Sequence, residues 1–154
     1  MMSRVQKGMV AGAVATVAVS LVEAVNVLAL KWFAPFPLII ANIVGMAGNM
    51  TVGWIVQAVV SVFVLGPLFS VLYRRLPTDT AETKGVVFAV GAFVVFMVVL
   101  MLFGDSGSFG RNFGSIAWIL VGYAAFGVVM GYVYARLLAR DKRRHTPMNA
   151  QPAH

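Results

Sequence analysis

The chain has 154 residues, of which 60% are hydrophobic and 11% are charged, and its formal net charge is +7. Soluble domains carry roughly 25% charged residues, so this composition excludes a soluble globular protein and indicates an integral membrane protein. The length leaves room for one compact domain and for no sizeable domain outside the membrane. Because the sequence contains no cysteine, disulfide bonds, thiolate metal sites and cysteine nucleophiles are excluded as well.

Four apolar runs predict an all-α membrane protein with four transmembrane helices. About 20 mostly apolar residues cross the hydrocarbon core, and such runs lie at about 8–30, 50–73, 85–103 and 115–135. They predict one transmembrane domain over residues 1–138 and a basic, disordered tail over residues 139–154. A secretory signal peptide is the competing interpretation of residues 1–20, but the first apolar run is much longer than the core of such a peptide.

The segment between the first two runs is apolar but broken. Residues 33–49 contain Pro35, Pro37, Gly45 and Gly48, and the unbroken piece that remains is too short to span a bilayer. We expect a short helix with Pro37 in its first turn, where a missing backbone N–H is tolerated. Whether this helix lies at the membrane interface or re-enters the bilayer stays open.

Basic residues are concentrated on one side of this topology. Of the 12 lysines and arginines, only Lys31 and Arg111 fall on the same side as the segment 33–49. Positive residues near span ends favour the cytoplasmic side, so the pattern predicts a bacterial inner-membrane protein with both termini cytoplasmic. The charges flank helices instead of covering a surface, so the predicted partner is the lipid bilayer and not nucleic acid. Basic residues expected to contact lipid headgroups are Arg136, Arg140, Lys142, Arg143 and Arg144.

Each half of the chain opens with a similar motif, which predicts an internal repeat. Lys7-Gly8 begins the first apolar run and Lys84-Gly85 the third. Each return helix also has a tryptophan near its start, in Gly53-Trp54 and Ala117-Trp118. The pattern predicts two parallel helical hairpins related by an axis along the membrane normal.

Small residues recur at intervals of four on two of the predicted helices. Close backbone approach at such residues holds helices together in lipid, so we expect the first and fourth spans to pack against each other. The same faces could instead contact other membrane subunits or form a homo-oligomer. The packing residues are Gly8, Gly12, Thr16 and Ser20 in the first span and Gly127 and Gly131 in the fourth.

Glu23 is the only ionisable residue of the first apolar run. A carboxylate alone in hydrocarbon is costly, so we expect it to be protonated, to be hydrogen-bonded or to reach the interface. Asn26, Asn42 and Gln57 are the polar residues expected nearby, and with Glu23 they form a candidate polar pocket. The pocket fits a proton-titrating or ligand-binding carboxyl, or a hydrogen bond between helices with no further role.

The sequence contains no catalytic or metal-binding arrangement, so we expect no enzymatic activity, no metal and no cofactor. Gly104-Asp105-Ser106-Gly107 matches the tetrapeptide around the nucleophile of chymotrypsin-like proteases. Serine catalysis needs a histidine base beside the serine, and His145 and His154 lie across the membrane in this topology. A turn is therefore the better interpretation of this tetrapeptide.

The chain resembles a family of small four-helix bacterial inner-membrane proteins of unknown function. The features that carry this resemblance are the Lys-Gly opening, the proline-bearing insert, the Gly-Trp start of the second span and the two further spans. The resemblance covers residues 7–138 and implies a topology but no activity. We therefore expect a non-enzymatic accessory or structural subunit that packs against partner helices. The alternative is a small transporter or channel component with an outward-facing polar pocket around Glu23.

Reporter fusions test the predicted orientation directly. A fusion at Thr80 is expected to report the cytoplasm, and a fusion at Ser108 the opposite side, because basic residues surround the first position and are scarce around the second. Activities of a cytoplasm-specific and an export-specific reporter measure the two locations. A Thr80 fusion found outside the cytoplasm would contradict the orientation.

Overall fold

The computed structural model describes residues 2–103 and 113–145, and within these ranges the chain forms helices and no strand. The helices are α1 (Arg4–Val25), α2 (Phe36–Ile43), α3 (Met50–Val59), α4 (Gly66–Leu72), α5 (Ala81–Phe103) and α6 (Phe113–His145). Two π-helical stretches, Asn26–Leu30 and Val60–Leu65, continue α1 and join α3 to α4.

Four of the resulting helices are long and apolar enough to cross a membrane. We call them the first to fourth spans: Arg4–Leu30, Met50–Leu72, Ala81–Phe103 and Phe113–Arg143. The predicted all-α fold with four membrane helices is thus confirmed. The short helix expected between the first two spans is present as α2, with Pro37 in its first turn, and its position relative to the membrane stays a prediction.

The first span begins four residues earlier than predicted because a capping box starts it. The Ser3 hydroxyl accepts a hydrogen bond from the Gln6 backbone N–H (3.1 Å), and the Gln6 side chain accepts one from the Ser3 N–H (2.8 Å). Such a reciprocal pair satisfies N–H groups that otherwise lack partners at a helix start. The helix therefore begins at Arg4.

The fourth span extends beyond its predicted end, so the predicted disordered tail is wrong for residues 139–145. These residues continue α6, and Asp141 within them forms an ion pair with Lys7 at the start of the first span. Helix-favouring leucine, alanine and arginine residues carry the helix outward, and the ion pair ties it to the bundle. Residues 146–154 lie outside the described part of the chain.

The second span accommodates its internal proline with a wider turn. Pro67 has no backbone N–H, and its ring crowds the preceding turn. The π-helical stretch Val60–Leu65 ends immediately before Gly66, whose N–H bonds to the carbonyl of Ser61 five residues earlier. A π-helical turn of this kind is a recognised way of interrupting an α-helix.

Each hairpin is held by glycines whose backbones touch. A Cβ atom at Gly8 would overlap the carbonyl group of Gly66 in the second span, and one at Gly85 would overlap that of Gly127 in the fourth. Only glycine permits this approach. The two contacts occupy corresponding places in the two halves, which agrees with the internal repeat, and the repeat itself stays a prediction.

The small-residue faces lie inside the hairpins, which differs from our expectation for the first and fourth spans. Gly12 approaches the carbonyl of Ser61 in the second span, and Gly131 approaches that of Ala81 in the third. Thr16 and Ser20 likewise border a shallow groove with Trp54 and Ala58 of the second span. The first and fourth spans do pack together, but the core between them is built from Ala11, Ala15, Phe126 and Met130.

The four spans follow the spatial order second, first, fourth, third. The second span packs on the first, the first on the fourth and the fourth on the third. Over the described residues, extensive packing between the second and third spans is missing, although Phe69 and Phe88 join them at one end with ring centroids 5.2 Å apart. A space is therefore left between the second and third spans.

Gly85→Ala is expected to lower the free energy of unfolding by about 1–3 kcal/mol, as overpacking does, because its methyl group would overlap the backbone of Gly127. Gly91→Ala in the same helix is the control, since nothing lies within 4 Å of the added carbon. Gly91→Ala should leave the free energy of unfolding unchanged or raise it by about 0.5–1 kcal/mol. Denaturant unfolding in mild detergent, followed by circular dichroism, measures both. Equal effects would contradict a hairpin limited by backbone contact.

Candidate functional site

The carboxyl group of Glu23 receives hydrogen bonds from three parts of the chain. Oε2 accepts from the indole Nε1–H of Trp118 (2.8 Å), and Oε1 accepts from the backbone N–H of Phe36 (2.9 Å) and from the Asn26 side chain (3.4 Å). Glu23 itself is 5% exposed. A carboxylate is an acceptor-only group, so these donors match what its burial requires.

The Phe36 N–H is available to Glu23 because the first N–H groups of a helix have no carbonyl partner within it. Pro35 and Pro37 have no backbone N–H, and Phe36 is the first residue of α2. The carbonyl of Pro35 satisfies the N–H groups of Leu38 and Ile39. Glu23 therefore caps α2 from another helix, and a negative group at a helix start is stabilised by the helix dipole.

Asn26 holds the chain that leads from the first span into α2. Its side-chain NH₂ donates to the carbonyl of Phe33 (3.3 Å), and its Oδ1 accepts from the N–H of the same residue (3.4 Å). Asn26 is fully buried at the beginning of the π-helical stretch that ends the first span. The Asn26 amide thus supplies hydrogen-bond partners to the backbone N–H and carbonyl of Phe33, which lies beyond the end of the helix.

The fourth span contributes the other side of this cluster. The ring of Trp118 stacks on that of Phe33, with centroids 5.0 Å apart and planes 11° apart. The hydroxyl of Ser115 accepts a hydrogen bond from the N–H of Ala34 (3.2 Å). Residues 33–36 are thus fixed between the first and fourth spans, and the two hairpins are joined at this end.

Two of the four residues of the predicted polar pocket lie apart from this cluster. Glu23 and Asn26 are hydrogen-bonded to each other. Neither Asn42 nor Gln57 is among the donors that the described residues supply to Glu23. Asn42 lies in α2, half-buried, whereas Gln57 lines a cavity that Glu23 also borders.

That cavity lies between the second and third spans and has a volume of about 750 Å³. Most of its lining consists of valine, leucine, isoleucine and phenylalanine side chains from all four spans and α2. Val60 and Val64 of the second span and Val87 and Val95 of the third line it and are themselves exposed. The cavity is therefore open sideways, toward the surface that would face lipid.

Aromatic side chains cluster near both ends of the cavity. At the end that carries the N-terminus, Phe69 contacts Phe88 and Tyr134, with ring centroids 5.2 Å and 5.5 Å apart. At the α2 end, Phe36 contacts Phe96 of the third span and Tyr123 of the fourth, at 5.1 Å and 6.0 Å. A molecule in the cavity would lie between these two clusters and would be reached from the side.

Gln57 is the polar group of this cavity whose hydrogen bonding is incomplete. Its side chain is 7% exposed, and its Oε1 is buried without a hydrogen-bond partner. Such a group costs about 1–3 kcal/mol relative to a satisfied one. A buried unsatisfied group in a folded protein therefore calls for an explanation, and binding of a further molecule is one.

The remaining predictions from the sequence concern a metal site, the tetrapeptide at 104–107 and the contacts with lipid headgroups. Across residues 2–103 and 113–145, no three histidine, aspartate or glutamate side chains are grouped as a metal site. The tetrapeptide 104–107 lies outside the described residues. Predicted headgroup contacts that are exposed on α6 are Arg136, Arg140, Lys142 and Arg143, and the side chain of Arg144 is outside the described part.

In a comparison with protein families, a family model matches the chain over residues 2–145. The chain belongs to a family of unknown function, DUF6789. The expected membership of a family without known function is confirmed, while a bacterial origin and an inner-membrane location stay predictions. Neither the curated proteins nor the solved structures contain a match.

Sequence reasoning missed Trp118 as the partner of Glu23. In the sequence this residue stands out only as a marker of the internal repeat. An indole N–H is a donor that needs a partner when buried, and a lone carboxyl in an apolar helix needs donors. Taken together, these two requirements could have indicated that Trp118 donates to Glu23.

A double-mutant cycle tests the bond between Glu23 and Trp118. Glu23→Gln turns one acceptor oxygen into a donor facing N–H groups, and Trp118→Phe removes the indole donor. Each should lower the free energy of unfolding by about 1–3 kcal/mol, with a coupling energy of about 0.5–3 kcal/mol. Trp54→Phe, in the other return helix, is the matched control. Additive effects of the first two substitutions would contradict the bond.

Proposed function

We propose that this protein is a non-enzymatic accessory protein of the membrane that holds an apolar molecule of the bilayer between its second and third spans. The observation that supports this most directly is the cavity of about 750 Å³ that opens sideways. Sites for small molecules typically measure roughly 300–1,000 Å³ and have mostly apolar linings with a few polar groups. The cavity agrees with that description in both respects.

The positions of the glycines favour a small molecule over a helix of a partner subunit. Glycines would admit a partner helix closely, but Gly8, Gly12, Gly127 and Gly131 are already in contact within the two hairpins. Packing against partner helices, expected from the sequence, therefore has less support than binding of a small molecule.

A transporter or channel component with an outward-facing polar pocket is the second candidate. It is favoured by one observation, that Glu23 borders the same cavity as Gln57. Against it, both carboxylate oxygens of Glu23 already accept hydrogen bonds from the protein, and the remaining lining is mostly apolar. A solute in water would find few polar partners there.

We further propose that the protein lies in a bacterial inner membrane with both termini in the cytoplasm. The exposed basic residues of α6 support this, because they would stand beside the anionic headgroups of the cytoplasmic leaflet. Lys84 fits the same side, since its ammonium group donates to the carbonyl of Tyr73 and lies 4.8 Å from the centroid of that ring. Basic and aromatic groups meet in this way near membrane interfaces.

Fluorescence of Trp118, which lines the cavity, tests the proposed function. The chain has three tryptophans, so Trp32→Phe with Trp54→Phe leaves Trp118 as the only one. In vesicles made with brominated acyl chains, we expect strong quenching of Trp118, because a chain in the cavity comes close to its ring. Val95→Phe, at the cavity, should reduce the quenching, and Val94→Phe, an exposed neighbour outside the cavity, should leave it unchanged.

The same protein separates the two candidate functions. Acrylamide dissolved in the water reaches Trp118 only if the cavity opens to water. Quenching by acrylamide, without any effect of brominated lipid, would contradict binding of an apolar molecule and would support the outward-facing pocket.

A further inference from the structure

Polar and apolar groups are unequally distributed along the cavity. Gln57 lies seven residues from the start of the second span and Glu23 seven residues from the end of the first, which places both roughly 10 Å from the α2 end at 1.5 Å per residue. Ser61 lies one turn deeper. Toward the other end the second and third spans line the cavity with apolar groups, among them Leu65, Leu68 and Phe88.

The cavity is also elongated. Its lining on the second span extends from Val56 to Leu72 within the helix, a rise of roughly 24 Å at 1.5 Å per residue. An extended hydrocarbon chain that lies along the second span would follow this lining from the polar part of the cavity to its apolar part.

We propose that the cavity binds one single-chain amphiphile whose neutral, hydroxyl-bearing head hydrogen-bonds to Gln57 and whose hydrocarbon chain extends toward Phe88. This assignment rests on the proposed binding of an apolar molecule and names its class. A hydroxyl can donate to the Oε1 atom of Gln57, which has no partner, and can accept from the NH₂ group of the same amide.

Glu23 disfavours an anionic head at the same place. Its carboxyl group borders the polar part of the cavity, and a second carboxylate there would be repelled in surroundings of low dielectric constant. The donors around Glu23 come from Trp118 and Phe36 and are already engaged. Glu23 therefore selects against a negatively charged head, and a neutral head has Gln57 as its partner.

The test uses two probes that differ only in the hydroxyl group: a long-chain alcohol with bromine on carbons near the hydroxyl, so that the bromine lies at the level of Trp118, and the hydrocarbon of the same length with bromine at the same carbons. Each is added to vesicles that contain the protein with Trp118 as its only tryptophan. One hydrogen bond contributes about 0.5–1.5 kcal/mol net, so the alcohol should reach half-maximal quenching at a membrane concentration about three- to tenfold lower. Gln57→Leu should abolish this difference and leave quenching by the hydrocarbon in place.

Two controls keep the result interpretable. Gln57→Met, which keeps the length of the side chain, should remove the preference in the same way. Asn42→Leu, another polar residue of the α2 end but outside the cavity lining, should retain it. Because the amide oxygen of Gln57 has no partner, the Leu and Met variants should unfold at the same denaturant concentration as the parent protein or at a higher one.

The outcomes distinguish this inference from the function on which it rests. If neither probe quenches Trp118, the proposed binding of an apolar molecule fails as a whole. If both probes quench equally in the parent protein, or if the preference survives in both Gln57 variants, the hydroxyl-bearing amphiphile is wrong while the apolar site stands.

Discussion

A carboxyl group buried among apolar helices must be given hydrogen-bond donors, and in this protein those donors join parts of the chain that are far apart. Trp118 belongs to the fourth span and Phe36 to the segment after the first, and both donate to Glu23. An isolated charge would cost far more than one hydrogen bond returns, so the three groups depend on one another. Because Phe36 also packs against Phe96 at the α2 end of the cavity, the hydrogen bond that satisfies this carboxyl also positions a side chain of the cavity lining.

The cavity has its origin in where the small residues lie. Helices in lipid gain little from apolar burial and associate through close packing, and the closest contacts, Gly8 with Gly66 and Gly85 with Gly127, are within the hairpins. Between the hairpins the core contains larger side chains such as Phe126, Met130 and Tyr134. Over the described residues, the extensive packing between the hairpins is therefore along their first and fourth spans, and most of the space between the other two remains open.

Local signals explain what the sequence predicts correctly. The apolar runs predict the four spans, and prolines predict the short helix α2, because each signal acts within one helix. Which neighbour a small-residue face meets depends on how the helices turn about their axes, so the contact of Gly12 with the second span was not predicted. The helical extension to His145 includes Asp141, whose ion pair is with Lys7, a residue distant in sequence. The hydrogen bond between Glu23 and Trp118 also joins distant residues, so no local pattern predicts either contact.

Glu23 and Gln57 show why charge alone is a poor guide to the site. Both lie at a similar depth and both border the cavity, and the sequence draws attention to Glu23 because it is ionisable. The structure surrounds Glu23 with hydrogen-bond donors. A buried polar group whose hydrogen bonds are satisfied in this way stabilises the fold. Gln57 has an oxygen without a partner, although leucine at this position would avoid the cost of about 1–3 kcal/mol. Local rules are most often broken at functional positions, so the uncharged amide is the better candidate for contact with a ligand.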